Sequence, residues 1–371
     1  MIMDGKKKIK VLIVDDSAVV RNLLTTVLSK DEEIEVIGTA PNPFVARDKI
    51  VMFNPDIITL DVEMPRMDGL TFLRKLMTYY PIPVIMVSSL TESGCETTLK
   101  ALEIGALDFV TKPKTSLRDS INQISQELIE KIKVFSKIKI KKKEITDEEY
   151  LKSDKAIECR GRPMCLPTLS GEHTGSPLLV ATTHKIIAIG ASTGGTEAIK
   201  KVLEQFPTNT PGTIIVQHMP EKFTKSFAER LNSLCGVEVR EAQDGDSVIP
   251  GRVLIAPGNY HMLLRRDGAR YYVKVKEGPL VSHHRPSVDV MFNSVAEYGA
   301  ANAIGVILTG MGADGSAGML NMKRAGAKTI AQDENSCVVF GMPKEAIKLS
   351  AVDKVVSLDQ ITNTIFSFLQ N

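Results

Sequence analysis

From Ile9 to Lys112 short apolar runs alternate with amphipathic segments. The runs IKVLIVDD (9–16), IEVIGTA (34–40), PDIITLDV (55–62), PVIMVSS (83–89) and DFVTKP (108–113) predict strands, and segments such as Ser17–Ser29 carry a helical period. Apolar runs that alternate with helices imply a parallel sheet covered on both faces. A further helix is predicted from Leu117 to Ile140, with Ile121, Ile124, Leu128, Ile129 and Ile132 on one face. The periodicity then fades. Residues 138–183 pass from a lysine-rich stretch into CRGRPMCLPTLSGEHTGSP and read as an exposed, flexible linker.

A second alternating region starts at Lys185. Strands are predicted at IIAIGA (186–191), GTIIVQH (212–218), VEVREA (237–242), RVLIAP (252–257), AIGVILTG (303–310) and KTIAQD (328–333). In MLLRRDGARYYVKV (262–275), Asp267-Gly268 suits a tight hairpin turn. The expected fold class is α/β: two doubly wound, mostly parallel-sheet domains, the second with some antiparallel content. The expected division is 1–137, linker 138–183 and 184–371.

Composition narrows the function classes. With 371 residues, 43% hydrophobic and 24% charged, the chain has an ordinary globular make-up, and its net charge of +2 argues neither for nor against nucleic acid. The basic run Lys137–Lys143 has no interleaved aromatics and reads as solvated. No apolar run is long enough for a membrane span, and the first one ends at two aspartates, which does not suit a signal peptide. The five scattered cysteines (Cys95, Cys159, Cys165, Cys235, Cys337) suggest free thiols in a reducing, cytoplasmic setting. Cys159 and Cys165, with His173 and His184 beyond them, match no common zinc spacing.

Candidate chemistry gathers at strand ends. In the first region Asp15, Asp16, Asp61, Ser88 and Lys112 all fall at carboxyl ends, where an open parallel sheet forms its binding crevice. Three carboxylates there repel one another unless a hard cation such as Mg²⁺ lies among them. A carboxylate can also accept a phosphoryl group, with a lysine and a hydroxyl nearby to stabilise its charge. Singly, each aspartate is as well explained as a helix cap. The motifs VLIVDDSAVVR, DIITLDVEMPRMDGL, VIMVSS and DFVTKP resemble the receiver domain of two-component response regulators, a flavodoxin-like fold, over 9–135. That resemblance implies Asp61 as phosphoacceptor, with Asp15, Asp16, Asp61 and the backbone carbonyl of Glu63 as Mg²⁺ ligands. It also implies Ser88 and Lys112 as phosphoryl contacts and Phe109 as the aromatic switch.

In the second region Gly190-Ala191-Ser192-Thr193-Gly194 stands between a strand and a helix. A nucleotide-binding turn is one reading, but Ser192 occupies a position where the dinucleotide fingerprint needs glycine. A tight connection without chemistry is another. A nucleophilic serine is the third, and it needs a base and an orienting acid. Of the six histidines, His218 ends the next predicted strand, His261 precedes the hairpin, and His283 and His284 lie in a loop leading to a helix, placed to face substrate. Asp314 follows a buried-type strand at the same edge and also suits a cap for the helix starting near Gly315. Asp289 is the rival acid, with neighbours that place it on a helix face. The order Ser192, His218, Asp314 is not that of α/β-hydrolases, so the G-x-S-x-G match does not imply that fold.

IIAIGASTGGTEAI, IIVQHMPEKFTKSFAERL, VLIAPGNYHM, HRPSVDVMF and ILTGMGADGSAGM resemble the catalytic domain of the chemotaxis methylesterases over about 184–370. That resemblance implies nucleophile Ser192, base His218 and acid Asp314, with oxyanion stabilisation by backbone N–H groups of Thr193 and Met311. It further implies hydrolysis of glutamate γ-methyl esters on methyl-accepting chemotaxis receptors, glutamine deamidation in many members, and a chemotaxis histidine kinase as phosphodonor. The esterase reaction needs no cofactor, and the membrane is met only through the receptors. The linker is longer than this family usually carries. An output domain that binds DNA or a protein is the non-enzymatic alternative; DNA binding predicts a basic recognition helix, and residues 184–371 show none.

Overall fold

The computed structural model describes residues 7–64, 69–112, 118–138, 140 and 185–370. The linker beyond Ile140, with Cys159, Cys165, His173 and His184, lies outside the described residues.

The N-terminal sheet comprises β1 (Ile9–Val14), β2 (Ile34–Ala40), β3 (Ile57–Asp61), β4 (Val84–Ser88) and β5 (Asp108–Thr111). All pair in parallel, in the order β2-β1-β3-β4-β5, which is the flavodoxin-like arrangement. Helices α1 (Ala18–Leu28), α2 (Pro43–Phe53), α3 (Gly69–Tyr79), α4 (Glu92–Ile104) and α5 (Arg118–Phe135) alternate with the strands. Every residue of β3 and β4 is buried, which is why these strands read as continuous rather than alternating apolar runs. Ser17, Asn42 and Thr91 accept backbone N–H groups and start α1, α2 and α4.

The C-terminal sheet has seven parallel strands in the order β14-β13-β12-β6-β7-β9-β8. They are β6 (Ile186–Ala191), β7 (Gly212–Gln217), β8 (Glu238–Glu241), β9 (Arg252–Ile255), β12 (Ala303–Ile307), β13 (Lys328–Gln332) and β14 (Lys354–Val356). The hairpin forms a separate antiparallel pair, β10 (His261–Asp267) and β11 (Arg270–Lys276). The helices are α6 (Gly195–Leu203), α7 (Phe223–Leu234), α8 (Val288–Tyr298), α9 (Ser316–Arg324), α10 (Met342–Lys348) and α11 (Leu358–Gln370).

The pattern places the strands well but overruns their carboxyl ends. The ladder stops at Val14, Gln217 and Ile307, so Asp15, Asp16, His218 and Thr309 stand just beyond it. Leaving the ladder is what frees Asp15, Asp16 and His218 for the clusters at the two sheet edges. The last helix of the first region ends at Phe135 rather than Ile140. Strand β14 is absent from the apolar pattern because it is short and two of its three residues are exposed. No described helix is long and apolar enough to cross a membrane.

The two sheets share one apolar cluster, running from Leu99, Leu102 and Phe109 to Phe223, Phe227 and Leu231. Phe109 stacks on Phe223 with ring centroids 4.4 Å apart. At the rim Arg230 binds Glu103 through two nitrogens, and Lys200 lies 3.8 Å from the same carboxylate.

Candidate active site

Strand β6 is the centre of the C-terminal sheet, flanked by β7 and β12. Consequently Ser192, His218 and the loop after β12 meet at one edge. His218 N donates to Ala191 O at 3.1 Å and Ser192 N to Thr309 O at 3.0 Å, which ties the three strand ends together. The glycines after Ser192 answer a packing demand. Gly194 sits at φ +76° against Val338, and a side chain on Gly195 would meet Gln217 Oε1 at 2.1 Å. That close approach lets Gln217 Nε2 donate to Ser192 O at 2.9 Å. Thr309 Oγ1 donates to Thr193 O at 2.9 Å and accepts from Val339 N, so the turn carrying Ser192 is held from behind.

His218 Nε2 lies 2.7 Å from Asp314 Oδ2. The other ring nitrogen, Nδ1, is buried and has no hydrogen-bond partner among the described residues. Asp314 is itself buried and accepts three further bonds, from Ser287 Oγ (2.8 Å), Val288 N (2.7 Å) and Asp289 N (3.1 Å). Burial alone would raise its carboxyl, but His218, the Ser287 hydroxyl and the Val288 amide together hold it down at about 2. Asp314 is therefore ionised, and it is a cap as well. The helix it caps is α8, far along the chain, and not α9 as its position suggested; α9 starts from Gly315 without a side-chain cap. The rival, Asp289, accepts from Gly318 N at 2.6 Å and makes no hydrogen bond to His218 among the described residues, although its carboxyl lies beside that of Asp314.

The remaining histidines divide. His261 is the first residue of β10 rather than part of a preceding loop; it is buried, with Nε2 on Pro279 O and Nδ1 accepting from Ser287 N. His284 stacks on the His218 ring, centroids 3.7 Å apart and planes 14° from parallel. Burial, reinforced by His218, pushes His284 down to about 3, so it is neutral.

Ser192, Thr193, His218, His283, His284, Met311 and Gly312 line a cavity of about 430 Å³ whose opposite wall is the N-terminal sheet. Thr193 Oγ1 donates to Asp108 Oδ2 at 2.7 Å across that gap. Lys131 Nζ completes the wall, 3.2 Å from Asp108, 2.7 Å from Glu127 and donating to Phe109 O at 2.8 Å. Burial would lower the Lys131 ammonium, but the Asp108 and Glu127 carboxylates more than offset this and hold it above the usual lysine range. Sequence reasoning missed Asp108 and Lys131. Their only local signal is the i,i+4 pair Glu127–Lys131, which looks like an exposed helix pair.

In the N-terminal sheet Asp15, Asp16 and Asp61 each offer a carboxylate oxygen within 4.8 Å of the others. Lys112 Nζ lies 2.8 Å from Asp61 and 3.2 Å from Asp15. Burial and the Asp15 charge push Asp61 up to about 6 despite that lysine. One ammonium for three carboxylates leaves the cluster short of positive charge, and all-oxygen ligands of this kind fit Mg²⁺. Glu63 N donates to Asp61 Oδ1 at 3.2 Å, which puts the 61–63 turn beside the cluster. Ser88 is at the end of β4, but its hydroxyl faces Gly94 O and accepts from Thr98 Oγ1.

Comparison with known proteins shows the family. The family model described as CheB methylesterase matches residues 187–365, and that of the response regulator receiver domain matches 11–122. The protein-glutamate methylesterase/protein-glutamine glutaminase 2 of Syntrophus aciditrophicus is 57% identical over 96% of this chain and 98% of its own length. The protein-glutamate methylesterase/protein-glutamine glutaminase of Salmonella typhimurium is 52% identical over 97% of both chains. The crystal structure of the Thermotoga maritima CheB methylesterase catalytic domain covers 50% of this chain and 97% of its own, at 39% identity and a TM-score of 0.48. With relatives this similar along nearly its whole length, the chain belongs to the CheB methylesterases that carry a response regulator receiver domain.

Proposed function

We propose that this chain hydrolyses glutamate γ-methyl esters on methyl-accepting chemotaxis receptors in the cytoplasm, and deamidates receptor glutamines by the same route. Residues 184–371 are its catalytic domain, 1–137 its receiver and 138–183 the linker. The observation that carries the reading is the His218 ring. Its Nε2 is fixed on an ionised Asp314, its Nδ1 has no hydrogen-bond partner among the described residues, and the ring lines the same cavity as Ser192.

Ser192 Oγ attacks the ester carbonyl as its proton passes to His218 Nδ1. Asp314 stabilises the imidazolium so formed. The backbone N–H groups of Thr193 and Met311 take the developing oxyanion. Methanol leaves with the proton from Nδ1. A water then gives a proton to the same nitrogen and attacks the acyl-serine; as the bond to Ser192 Oγ breaks, that proton returns to Oγ and glutamate is released, and from a glutamine side chain the first leaving group is ammonia. Ser192→Ala is expected to abolish methanol release from methylated receptor, a loss of at least about 10⁴-fold. Substantial remaining turnover would exclude the assignment.

The receiver would regulate this reaction. Asp61 accepts a phosphoryl group from a chemotaxis histidine kinase, and Asp15, Asp16, Asp61 and the Glu63 carbonyl would hold Mg²⁺. When bound, Mg²⁺ neutralises charge on the transferring phosphoryl group. Lys112 and Ser88 contact the phosphoryl oxygens, which requires the Ser88 hydroxyl to leave Gly94 O. Phe109, one strand over, is packed on Phe223, and neighbouring Asp108 holds Thr193 beside the nucleophile. Phosphorylation therefore acts on contacts that close the Ser192 cleft, and it shifts the population towards an open form.

A further inference from the structure

One edge of the His218 ring is pinned by Asp314 and the other has no hydrogen-bond partner among the described residues. A single hydrogen bond to an imidazole leaves the ring free to tilt about that contact, because the final torsion of histidine is broad. Proton transfer needs Nδ1 aimed at one place. The second restraint comes from the ring face. His284 lies nearly flat on His218, 3.7 Å between centroids. The loop that brings it there is unusual: Ser282 and His283 both have left-handed backbones, at φ +51° and +66°. Neither is glycine, and such residues persist only where surrounding contacts hold them. Here reciprocal backbone bonds between Val281 and His284, at 3.1 and 2.9 Å, close the loop.

We propose that His284 is a positioning residue for the base: its ring, flat against His218, keeps Nδ1 turned to the Ser192 side of the cavity while Asp314 holds Nε2. The inference rests on the reading of Ser192, His218 and Asp314 as a triad. Neutrality suits the role, since a charged ring would oppose the imidazolium forming beneath it. The other charged or titratable groups facing His284 are Asp314, Lys131 from α5 and His283 from its own loop. Of these Lys131 and His283 reinforce neutrality and Asp314 opposes it.

The test uses the full chain, phosphorylated by a small phosphoryl donor, with methanol release from methylated receptor followed against substrate concentration and pH. His284→Ala and His284→Leu should lower kcat about 10-fold, the rate equivalent of one aromatic contact, with KM little changed. His284→Phe, which keeps a flat neutral ring, should restore kcat to within about 3-fold and leave the acid limb of the pH profile where it was. Native-like kcat in His284→Ala would overturn the proposal. So would an effect confined to KM, or a folded His284→Phe as slow as His284→Ala. Ser192→Ala, assayed alongside, separates the two claims. If it retains turnover, the triad reading falls and the proposal with it; if it is inactive while His284→Ala is native-like, only the positioning role falls. Thermal midpoints confirm that each variant is folded.

Discussion

Asp61 and Asp314 occupy equivalent places in two similar folds. Each is a buried aspartate at the carboxyl edge of a parallel sheet, yet one is pushed up to about 6 and the other held down at about 2. Burial raises both. What differs is the supply of partners. Asp61 shares Lys112 with Asp15 and lies close to a third carboxylate, Asp16. Asp314 has the end of α8, a serine hydroxyl and an imidazole to itself. The first site is short of positive charge. The second is already satisfied, and it holds His218 Nε2 without further ligands. The same sheet edge thus yields one carboxylate short of partners and one fully supplied with them.

The same change, aspartate to asparagine, should act in opposite senses at the two sites. Asp314→Asn should lower methanol release by about 10³–10⁴-fold, because the amide favours the wrong imidazole tautomer. It should also remove an acid-dependent contribution to stability. Asp314 has a folded-state value near 2 against an ordinary 3.8, so its contribution is complete above 3.8 and is lost as pH falls through about 2. The native chain is expected to lose about 2 kcal/mol over that window that Asp314→Asn does not lose, as read by denaturant titrations at several pH values.

Asp61→Asn should instead stabilise the chain at neutral pH without divalent cation, by about 1–2 kcal/mol, since it removes a charge that burial and Asp15 disfavour. It should abolish phosphoryl incorporation from a small donor. A destabilised Asp61→Asn chain would show that the carboxylate cluster is not short of positive charge. The smallest effect is expected where the two halves meet. Asp108→Ala removes the bond to Thr193, and it should raise the unphosphorylated esterase rate about 5-fold, the equivalent of one hydrogen bond. An unchanged or lower rate in that variant would separate the Asp108 contact from regulation.

Both folds were legible because parallel strands buried on two faces leave unbroken apolar runs, and Asp15, Asp61, Ser192 and His218 stand where those runs end. Less legible was anything made by residues distant in the chain. That Asp314 caps α8 depends on the approach of two loops 25 residues apart, and its own neighbours point instead to α9. The role of His284 depends on a left-handed turn at Ser282 and His283, residue types that do not signal one. Asp108 and Lys131 act across the contact between the sheets, and neither strand nor helix periodicity registers which face another domain will cover.

The central claim is that Ser192, activated by His218, forms the acyl-enzyme. The most direct test is covalent labelling of the full chain by an acyl-serine trap, with the modified residue located by peptide mass mapping. The account predicts a single adduct on Ser192 that is lost in His218→Ala. Labelling at another residue, or labelling of Ser192 that persists without His218, would contradict it.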